Sequence, residues 1–418
     1  MVLVLMLSMA GCTTFNNFRD TFFNDRVDTQ GSAKIKIGIY EPMSGEFSKQ
    51  GKQEVAGIEL AHELYPSVLD HEIELIYEDN KSNMYDAETA IQDLASKQPN
   101  VILGSYGEVL TLIASDYVSA NSIPAITISS TNPLITANNP YFFTTSYAEE
   151  RAGEALADYA VRNGRELAAV VKIQKDDTTS AAIKRFKNRM IKLTGNKEAV
   201  LGTYLITQEA TDYTEAINLL KESGATATLL ALPAEIAENF MTQAKALGID
   251  NMIYLGRRSW NTDSIKKMAV DQKIDIAFPS DQSETVETEM SGIFMKAYHE
   301  KYGEEAVPSS YEALGFDAYL IAIEGIAIAH DTGLNMTEEE AMELAGSDAE
   351  GKAMIEELQK TRESGIPTGK LIKNAITNLG RFNGATGTFH FDGENEATKT
   401  VSVLSYRMGQ EMPAYVVN

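Results

Sequence analysis

The sequence of 418 residues contains only one cysteine, Cys12, and only one tryptophan, Trp260. A single thiol cannot form an intramolecular disulfide, and it leaves no second cysteine for a soft-metal site. The histidines are His62, His71, His299, His330 and His390. No two of them have the spacing of paired zinc ligands. We therefore expect no disulfide, no bound metal and no cofactor.

Positive charge is also scarce. The chain has 36 Lys and Arg residues against 60 Asp and Glu residues, which gives a net charge of −24. Binding to nucleic acid or to an anionic lipid surface requires a concentrated positive surface, and basic residues here form no run longer than a pair. The composition excludes nucleic acid as a partner and argues against a DNA-binding regulator.

Catalytic motifs are missing as well. The sequence has no nucleophile elbow, no HExxH pair and no P-loop lysine. The acidic run Glu338-Glu339-Glu340 is typical of a solvated helix. We expect a protein that is not an enzyme, and an enzyme remains the less favoured alternative.

The first residues have the pattern of an export signal. Val2–Met9 is an apolar run far shorter than the about 20 residues that span a bilayer. Met9-Ala10-Gly11-Cys12 resembles the lipobox of bacterial lipoproteins, which implies that Cys12 is lipidated. A buried free cysteine is the alternative. We expect a signal segment over 1–12, a tether over 13–33 and no later segment of membrane-spanning length. The protein would then be exported and lipid-anchored to the cell envelope, at the outer face of the cytoplasmic membrane or in the periplasm.

From Lys34 onward, short β-rich runs alternate with segments of helical periodicity, in two consecutive series. Such alternation predicts parallel strands joined by right-handed crossovers. A single core rarely exceeds about 250–300 residues, so two domains are expected. The predicted fold class is α/β, with two doubly wound parallel-sheet lobes. Long helices are predicted over 109–120, 309–329 and 338–362.

Several stretches carry a resemblance when they are taken in order. They are IKIGIYEPMSGEFSKQGKQEVAGIELA, VILGSYGEVLTLIASDYVSANSIPAITISSTNPLIT, YFFTTSYAEERAGEALADYAV, DYTEAINLLKESGATATLLAL, FMTQAKALGIDNMIYLG and FNGATGTFHFDGENEATKTVSVL. None is specific alone. The ordered set resembles the type 1 periplasmic binding-protein fold, specifically the Leu/Ile/Val-binding-like substrate-binding proteins of ABC importers.

This resemblance implies a discontinuous layout with a three-strand hinge. Lobe 1 would comprise 34–147 and 279–385, and lobe 2 would comprise 148–278 and 386–418. Ligand would bind in a cleft and close the lobes. Open parallel sheets also bind ligands beyond the carboxyl ends of their strands, which agrees with that position.

Candidate ligand-binding residues in lobe 1 follow its strands. The resemblance implies an aromatic contact from the loop with Phe47 and Gln50, and a carboxylate contact from Ser105 and Tyr106. Small hydroxyls can approach an anion closely, which adds the run Ser129, Ser130 and Thr131. Helix capping by these hydroxyls is the alternative.

In lobe 2 the candidates are Asp177 and Thr179, then Pro233, then Arg257, Arg258 and Trp260. In amino-acid binders of the family, the loop at Arg258 commonly carries an acid for the ligand's ammonium, and the loop at Pro233 commonly carries a tyrosine. Arginine instead suits bidentate capture of a carboxylate, and Trp260 could stack on a ring. A solvated strand end is the alternative.

The resemblance therefore implies an extracytoplasmic, monomeric solute-binding protein. It would capture a small, carboxylate-bearing ligand (an amino acid, a derivative or an organic acid) for an ABC permease, and would touch the membrane only through its lipid. A neutral polar ligand is the second choice. A sensory module that presents its ligand to a chemoreceptor or kinase is the alternative function, and a neighbouring permease gene would separate the two.

Overall fold

The computed structural model describes residues 33–132, 134–137, 139–147, 149–176, 179–280, 288–393 and 395–417. Cys12, the leader and nearly all of the tether lie outside these residues, as does Asp177. The chain divides into two compact units and passes between them three times. Within the described residues, unit 1 comprises 33–146 and 288–399, and unit 2 comprises 147–280 and 400–417.

Unit 1 is built on a seven-stranded sheet of order β14-β6-β5-β4-β1-β3-β2. Strands β6, β5, β4, β1 and β3 run parallel to one another, as expected for strands joined by helical crossovers, and β2 pairs antiparallel to β3. The strands are β1 (Ile35–Glu41), β2 (Ser67–Val68), β3 (His71–Asp79), β4 (Val101–Leu103), β5 (Ala125–Thr127), β6 (Phe142–Tyr147) and β14 (Glu396–Ala397).

The helices of unit 1 cover this sheet. They are Ser48–Leu64, Met84–Ser96, Glu108–Ile113, Ser115–Asn121, Glu289–Tyr302, Ser310–Asn335, Glu338–Leu344, Asp348–Ser364 and Gly369–Thr377. The helix predicted over 109–120 is divided because the backbone tightens at Ala114, whose N–H bonds to the Thr111 carbonyl at 3.1 Å. The helix predicted over 338–362 is two helices, and Ser347 caps the second by accepting the Glu350 N–H at 3.3 Å.

Helix Ser310–Asn335 is the central core element of unit 1. By length and composition it could cross a membrane, so the expectation that no later segment reaches that length was wrong. Its most apolar 18-residue window is 83% buried inside the protein, which is typical of a core helix. Gly57 and Gly315 let it approach helix Ser48–Leu64 closely. A Cβ on Gly57 would lie 1.9 Å from the Glu312 carbonyl oxygen.

Unit 2 repeats the architecture with a sheet of order β16-β15-β11-β10-β9-β7-β8. Its strands are β7 (Ala168–Ile173), β8 (Val200–Ile206), β9 (Ala227–Ala231), β10 (Ile253–Leu255), β11 (Asp275–Ser280), β15 (Val401–Arg407) and β16 (Gln410–Val417). Its helices are Glu149–Arg162, Ser180–Thr194, Thr214–Ser223, Ala234–Ala246 and Asp263–Gln272, with a 3-10 turn at Arg258–Trp260.

Besides Tyr147, which begins unit 2 and was predicted in lobe 1, the unit boundaries differ from the predicted lobe boundaries at two places. Strand β11 continues to Ser280 within unit 2, so Pro279 and Ser280 do not belong to lobe 1. Residues 386–399 belong to unit 1 and not to lobe 2. The hairpin of β12 (Phe382–Gly384) and β13 (Gly387–Phe389) accounts for the second difference, because Phe382 and Phe389 are buried in the unit 1 core.

A buried ion pair fixes this hairpin to the core helix. Asp317 is fully buried and accepts the Thr386 N–H at 3.0 Å. Lys399 is also buried, and its Nζ lies 4.0 Å from Asp317 Oδ2 and 4.4 Å from the centroid of the Phe389 ring. Burial raises the pKa of Asp317, and Lys399 and the hydrogen bonds from Thr386 and Ala385 oppose that shift. The pair and the aromatic contacts hold 386–399 on unit 1.

Candidate functional site

In each unit the strand order reverses beside one central strand. In unit 1, β1 lies between β3 and β4, and in unit 2, β7 lies between β8 and β9. Open α/β sheets bind ligands beyond the carboxyl ends of the strands at such a switch point, because the loops there diverge and leave a crevice. The loops after β1 and β4 carry Phe47, Ser105 and Tyr106, and those after β7 and β9 carry Thr179 and Pro233.

Ser105 and Ser130, whose hydroxyl groups were predicted to bind a carboxylate, are buried and hydrogen-bonded within unit 1. Ser105 is fully buried, and its Oγ accepts from Asn80 Nδ2 at 2.8 Å and donates to the Tyr106 carbonyl at 3.0 Å. Ser130 is 4% exposed and lies 3.1 Å from the Thr111 hydroxyl. Contrary to our expectation, these side chains organise the loop and do not present hydroxyls at its surface.

The remaining residues of this hydroxyl-rich run differ in exposure. Ser129 is buried, whereas Thr131 is partly exposed. The Leu134 N–H donates to Asn132 Oδ1 at 3.0 Å. Asn132 Nδ2 also lies 3.4 Å from Glu108 Oε2, so a carboxylate stands beside this loop. The surface here combines one hydroxyl, one amide and one acid.

Aromatic side chains form a partly exposed wall at the unit 1 switch point, which we call the aromatic wall (Phe47, Tyr106 and Tyr311). The ring centroids of Phe47 and Tyr106 are 5.7 Å apart, and those of Tyr106 and Tyr311 are 5.6 Å apart in an edge-on arrangement. Gln50 is partly exposed one helical turn after Phe47. Sequence reasoning missed Tyr311, although an aromatic in the first turn of the core helix was a usable signal.

Two buried carboxyl groups lie beneath this wall and were also missed. Glu41 ends β1 and Glu54 lies on helix Ser48–Leu64, and both are fully buried. Glu41 Oε2 accepts the Tyr106 N–H at 2.8 Å. Burial and the neighbouring Glu54 raise the pKa of Glu41 well above its usual value. Glu54 stands one turn before Ile58 on the apolar face, which was the available sequence signal.

In unit 2, the residues at the switch point are less exposed than expected. Thr179 is 1% exposed and precedes helix Ser180–Thr194, so it is packed inside the unit and does not present its side chain at the surface. Pro233 is partly exposed and precedes helix Ala234–Ala246, where its fixed φ suits a helix start.

The loop after β10 separates the residues that we had grouped. Arg257 and Arg258 are partly exposed, and both take part in polar or electrostatic interactions. Trp260 is fully buried in the core of unit 2, and its Nε1–H donates to the Leu232 carbonyl at 2.9 Å. The prediction that Trp260 stacks on a ligand is therefore wrong, because the indole has neither exposed surface nor an unused donor.

No group of three or more His, Cys, Asp and Glu side chains in the described part of the chain is arranged to hold a metal ion. The partly exposed groups on these loops are aromatic rings, amides, a carboxylate and guanidinium groups.

The family model described as "Periplasmic binding protein" matches residues 34–407. The chain belongs to this family.

Two solved structures illustrate the shared fold. The leucine-binding protein LivK of Thermotoga maritima superposes with a TM-score of 0.72 at 23% identity, covering 92% of this chain and 99% of that chain. A solute-binding protein from R. palustris in complex with benzoate gives 0.67 at 17%, covering 92% and 98%. Both match the two-sheet architecture described above.

Among curated proteins, "Leu/Ile/Val-binding protein homolog 6" of Brucella suis is 23% identical over 205 residues. That alignment covers 48% of this chain and 51% of the relative, so it spans about half the length of each.

Proposed function

We propose that this chain is an extracytoplasmic solute-binding protein that captures a small, carboxylate-bearing ligand for an ABC importer without chemical turnover. The ligand would be an amino acid, an amino-acid derivative or an organic acid. The observation that carries the proposal is the aromatic wall at the switch point of unit 1, in a chain of the periplasmic binding protein family.

The arginine pair supports the proposal that the ligand carries a carboxylate. Arg257 and Arg258 follow β10 and keep partly exposed guanidinium groups in a chain of net charge −24. A planar guanidinium binds a carboxylate bidentately and is worth more where water is partly excluded. The relatives named with leucine and benzoate, and a LivJ protein of Streptococcus pneumoniae in complex with isoleucine, all recognise carboxylate-bearing molecules.

The aromatic wall supports an apolar or aromatic body for the same ligand. Phe47 and Tyr106 offer ring faces and edges without charge, and the partly exposed Gln50 and Thr131 of the same unit offer neutral hydrogen-bonding groups. We propose that these unit 1 residues contact the ligand body.

The remaining parts of the proposal concern location and partners. We propose that Cys12 is acylated, that this lipid is the only membrane attachment, and that the protein acts as a monomer with an ABC permease. Replacement of Cys12 by Ala should release the exported protein from the membrane fraction, and retention of the variant there would contradict the anchor.

A thermal-shift screen of the purified protein against amino acids, aromatic acids, aliphatic organic acids and their amides tests the function. A ligand that binds only the folded state raises the melting temperature. At a ligand concentration of one hundred times Kd, the free energy of unfolding increases by about 2.7 kcal/mol. We expect the shift from an acid and not from its amide. A shift from amides alone would overturn the proposal that the ligand carries a carboxylate. If no class of compound gave a shift, the proposed ligand range would be overturned.

A further inference from the structure

The starting observation is a sheet edge that lacks the usual protection against strand addition. β8 (Val200–Ile206) is an edge strand of the unit 2 sheet, and no strand among the described residues pairs with its outer side. Its sequence, VLGTYLI, contains no charged residue and no proline. Such an edge presents unpaired N–H and C=O groups, which are a template for another strand.

The other edges of the two seven-stranded sheets carry features that β8 lacks. In the same sheet, the opposite edge strand β16 contains Glu411 and Pro413. The edge strands of unit 1, β2 and β14, have two residues each. Charge, proline and short length all discourage strand addition, so β8 is the most open edge of these sheets as far as the structure describes them.

The direction of the peptide groups supports pairing at this edge. The Gln174 N–H donates to the Ile206 carbonyl at 2.8 Å, so the peptide groups of Ile206 face β7. Because these groups alternate along an extended strand, those of Thr203 and Leu205 face outward. The register of β8 against β7 shifts once, between Val200 and Thr203, and is regular from Thr203 onward.

The exposed side chains of β8 are symmetric about its middle residue. Leu201, Thr203 and Leu205 are exposed, whereas the residues between them are partly buried. The exposed fraction is 37% for Leu201 and 55% for Leu205. Thr203 stands midway between the two leucines, and a strand with this symmetry is complementary to an antiparallel copy of itself.

An antiparallel pair of two β8 strands centred on Thr203 accommodates each of these positions. Leu201 of one copy comes opposite Leu205 of the other, and each leucine covers the apolar surface of its partner. On the opposite face, Gly202 comes opposite Tyr204, so no two bulky side chains meet there. At the centre, the outward peptide groups of the two Thr203 residues exchange hydrogen bonds, as in an ordinary antiparallel ladder.

The charges beside the strand also suit this register. The turn before β8 carries Lys197 and Glu198, the turn after it carries Gln208 and Glu209, and all four residues are exposed. Counted from Thr203, Lys197 of one copy comes toward Glu209 of the other, and Glu198 comes toward the uncharged Gln208. Opposite charges therefore meet at both ends of the pair, in a chain whose net charge of −24 otherwise repels a second copy.

We propose that β8 is a self-association edge, through which two copies of this chain form a reversible antiparallel dimer centred on Thr203. One seven-residue strand from each copy gives a contact at the lower end of the about 1,200–2,000 Å² that stable interfaces bury, so the dimer is weak. The monomer remains the form to which the proposed function applies. The inference goes beyond that function and does not depend on the ligand.

Sedimentation velocity of the full chain tests the proposal, under reducing conditions that keep Cys12 from cross-linking two copies. Over a concentration series from about 1 μM to about 1 mM, the mean sedimentation coefficient should rise from that of a monomer toward that of a dimer. Amide hydrogen exchange at Thr203 and Leu205 should slow over the same series. A monomer at every concentration would overturn the proposal. Growth beyond the dimer would also overturn it, because a twofold pair leaves no second β8 edge.

Two substitutions at the centre separate edge pairing from other contacts. Thr203→Pro removes the outward N–H, and an edge strand tolerates proline where that group faces away from the sheet. Thr203→Lys places two ammonium groups opposite each other in the pair. Each should lower the association constant about tenfold or more, whereas the control Met412→Lys on β16 should not. The fluorescence of Trp260 checks that unit 2 stays folded, and unchanged association in a folded variant of either kind would overturn edge pairing.

A charge exchange tests the register. Lys197→Glu sets two acids against each other at each end of the pair and should lower the association constant about threefold or more. The control Lys352→Glu, exposed on unit 1, changes the net charge equally and should have a smaller effect. Addition of Glu209→Lys to Lys197→Glu should restore association. Failure of the double variant to recover would overturn the register centred on Thr203.

Discussion

The two units have the same winding but keep their charged groups in different places. Unit 1 buries the acids Glu41, Glu54 and Asp317 together with Lys399. In unit 2, the buried charged residue of the described chain is Asp158, which Arg189 reaches from the surface with its Nε 2.7 Å from Oδ2. The arginines after β10 remain partly exposed.

This difference shows what a doubly wound sheet does and does not specify. The strand order brings the loops after β1 and β4 together in one unit and those after β7 and β9 in the other. It does not set their chemistry. Unit 1 should therefore respond to protonation and to loss of a charge partner, whereas unit 2 should respond mainly to loss of packing.

The largest effect is expected for Lys399→Ala. Removal of this ammonium leaves the Asp317 carboxylate buried without its ion-pair partner, which typically costs about 3–5 kcal/mol. Urea unfolding followed by far-UV circular dichroism measures the whole chain, and the fluorescence of the single tryptophan, Trp260, reports on unit 2. The dichroism midpoint should fall more than the fluorescence midpoint.

The control for that experiment is Lys296→Ala, because this lysine is largely exposed and its pair with Glu300 is 3.9 Å long. Its removal should change stability by less than about 1 kcal/mol. If Lys399→Ala cost no more than this control, the hairpin would be held by its aromatic contacts alone.

A smaller effect is expected on ligand affinity for Arg258→Ala. Hydrogen bonds to charged groups contribute about 1.5–3 kcal/mol, so the Kd of an acid found in the screen should rise about tenfold to a hundredfold. Calorimetric titration measures the change, and Arg381→Ala on the exposed surface of unit 1 is the matched control. Equal affinity in the two variants would show that Arg258 has no role in recognition.

Trp260→Phe tests the apolar character of unit 2. The substitution leaves the Leu232 carbonyl without its 2.9 Å donor and removes ring volume, at a cost of about 1–3 kcal/mol. Stability should fall in unit 2, as measured by circular dichroism, while ligand affinity stays unchanged because the indole is fully buried. A change in affinity without a change in stability would instead return Trp260 to the ligand site.

The smallest effect is expected at Glu324, on the core helix of unit 1. Burial raises the pKa of Glu324 from 4.5 to about 7. The folded state therefore holds the proton more tightly than the unfolded chain, and stability should fall as pH rises through this window. Glu324→Gln should flatten the pH dependence of the melting temperature between pH 4.5 and pH 7. The control Glu356→Gln, on the exposed surface of helix Asp348–Ser364, should leave that dependence unchanged. Parallel profiles for both variants would contradict the burial of this carboxyl.

Much of the fold was predictable because it depends on local patterns. The strands that begin at Ile35, Val101 and Ile253 lie on short β-rich runs to within a residue at their starts, and the helices follow from apolar spacing. The break at Ala114 was not predictable, since it depends on a single tightened turn. The assignment of the hairpin Phe382–Phe389 to unit 1 was not predictable, because it depends on contacts with Asp317, more than 60 positions away.

The loops that carry the candidate residues were predictable, but the direction of each side chain was not. Phe47, Tyr106 and Arg258 lie on the loops where the sequence placed them, and their side chains are partly exposed. Ser105 and Trp260 lie on two of these loops and Ser130 lies on the loop after β5, yet all three face inward and bond within their own unit. Sequence position gives the loop, and only packing gives the direction of the side chain.

The sequence by itself determined the two α/β units, the acidic character of the chain and the loops that follow each strand. These features depend on residue type and on periods of two and 3.6 residues, which are local properties. The tertiary structure alone decided that Tyr106 meets the buried Glu41 and that Lys399 meets Asp317. Such pairs arise from segments far apart in the chain, and their energies depend on burial, which no local pattern contains.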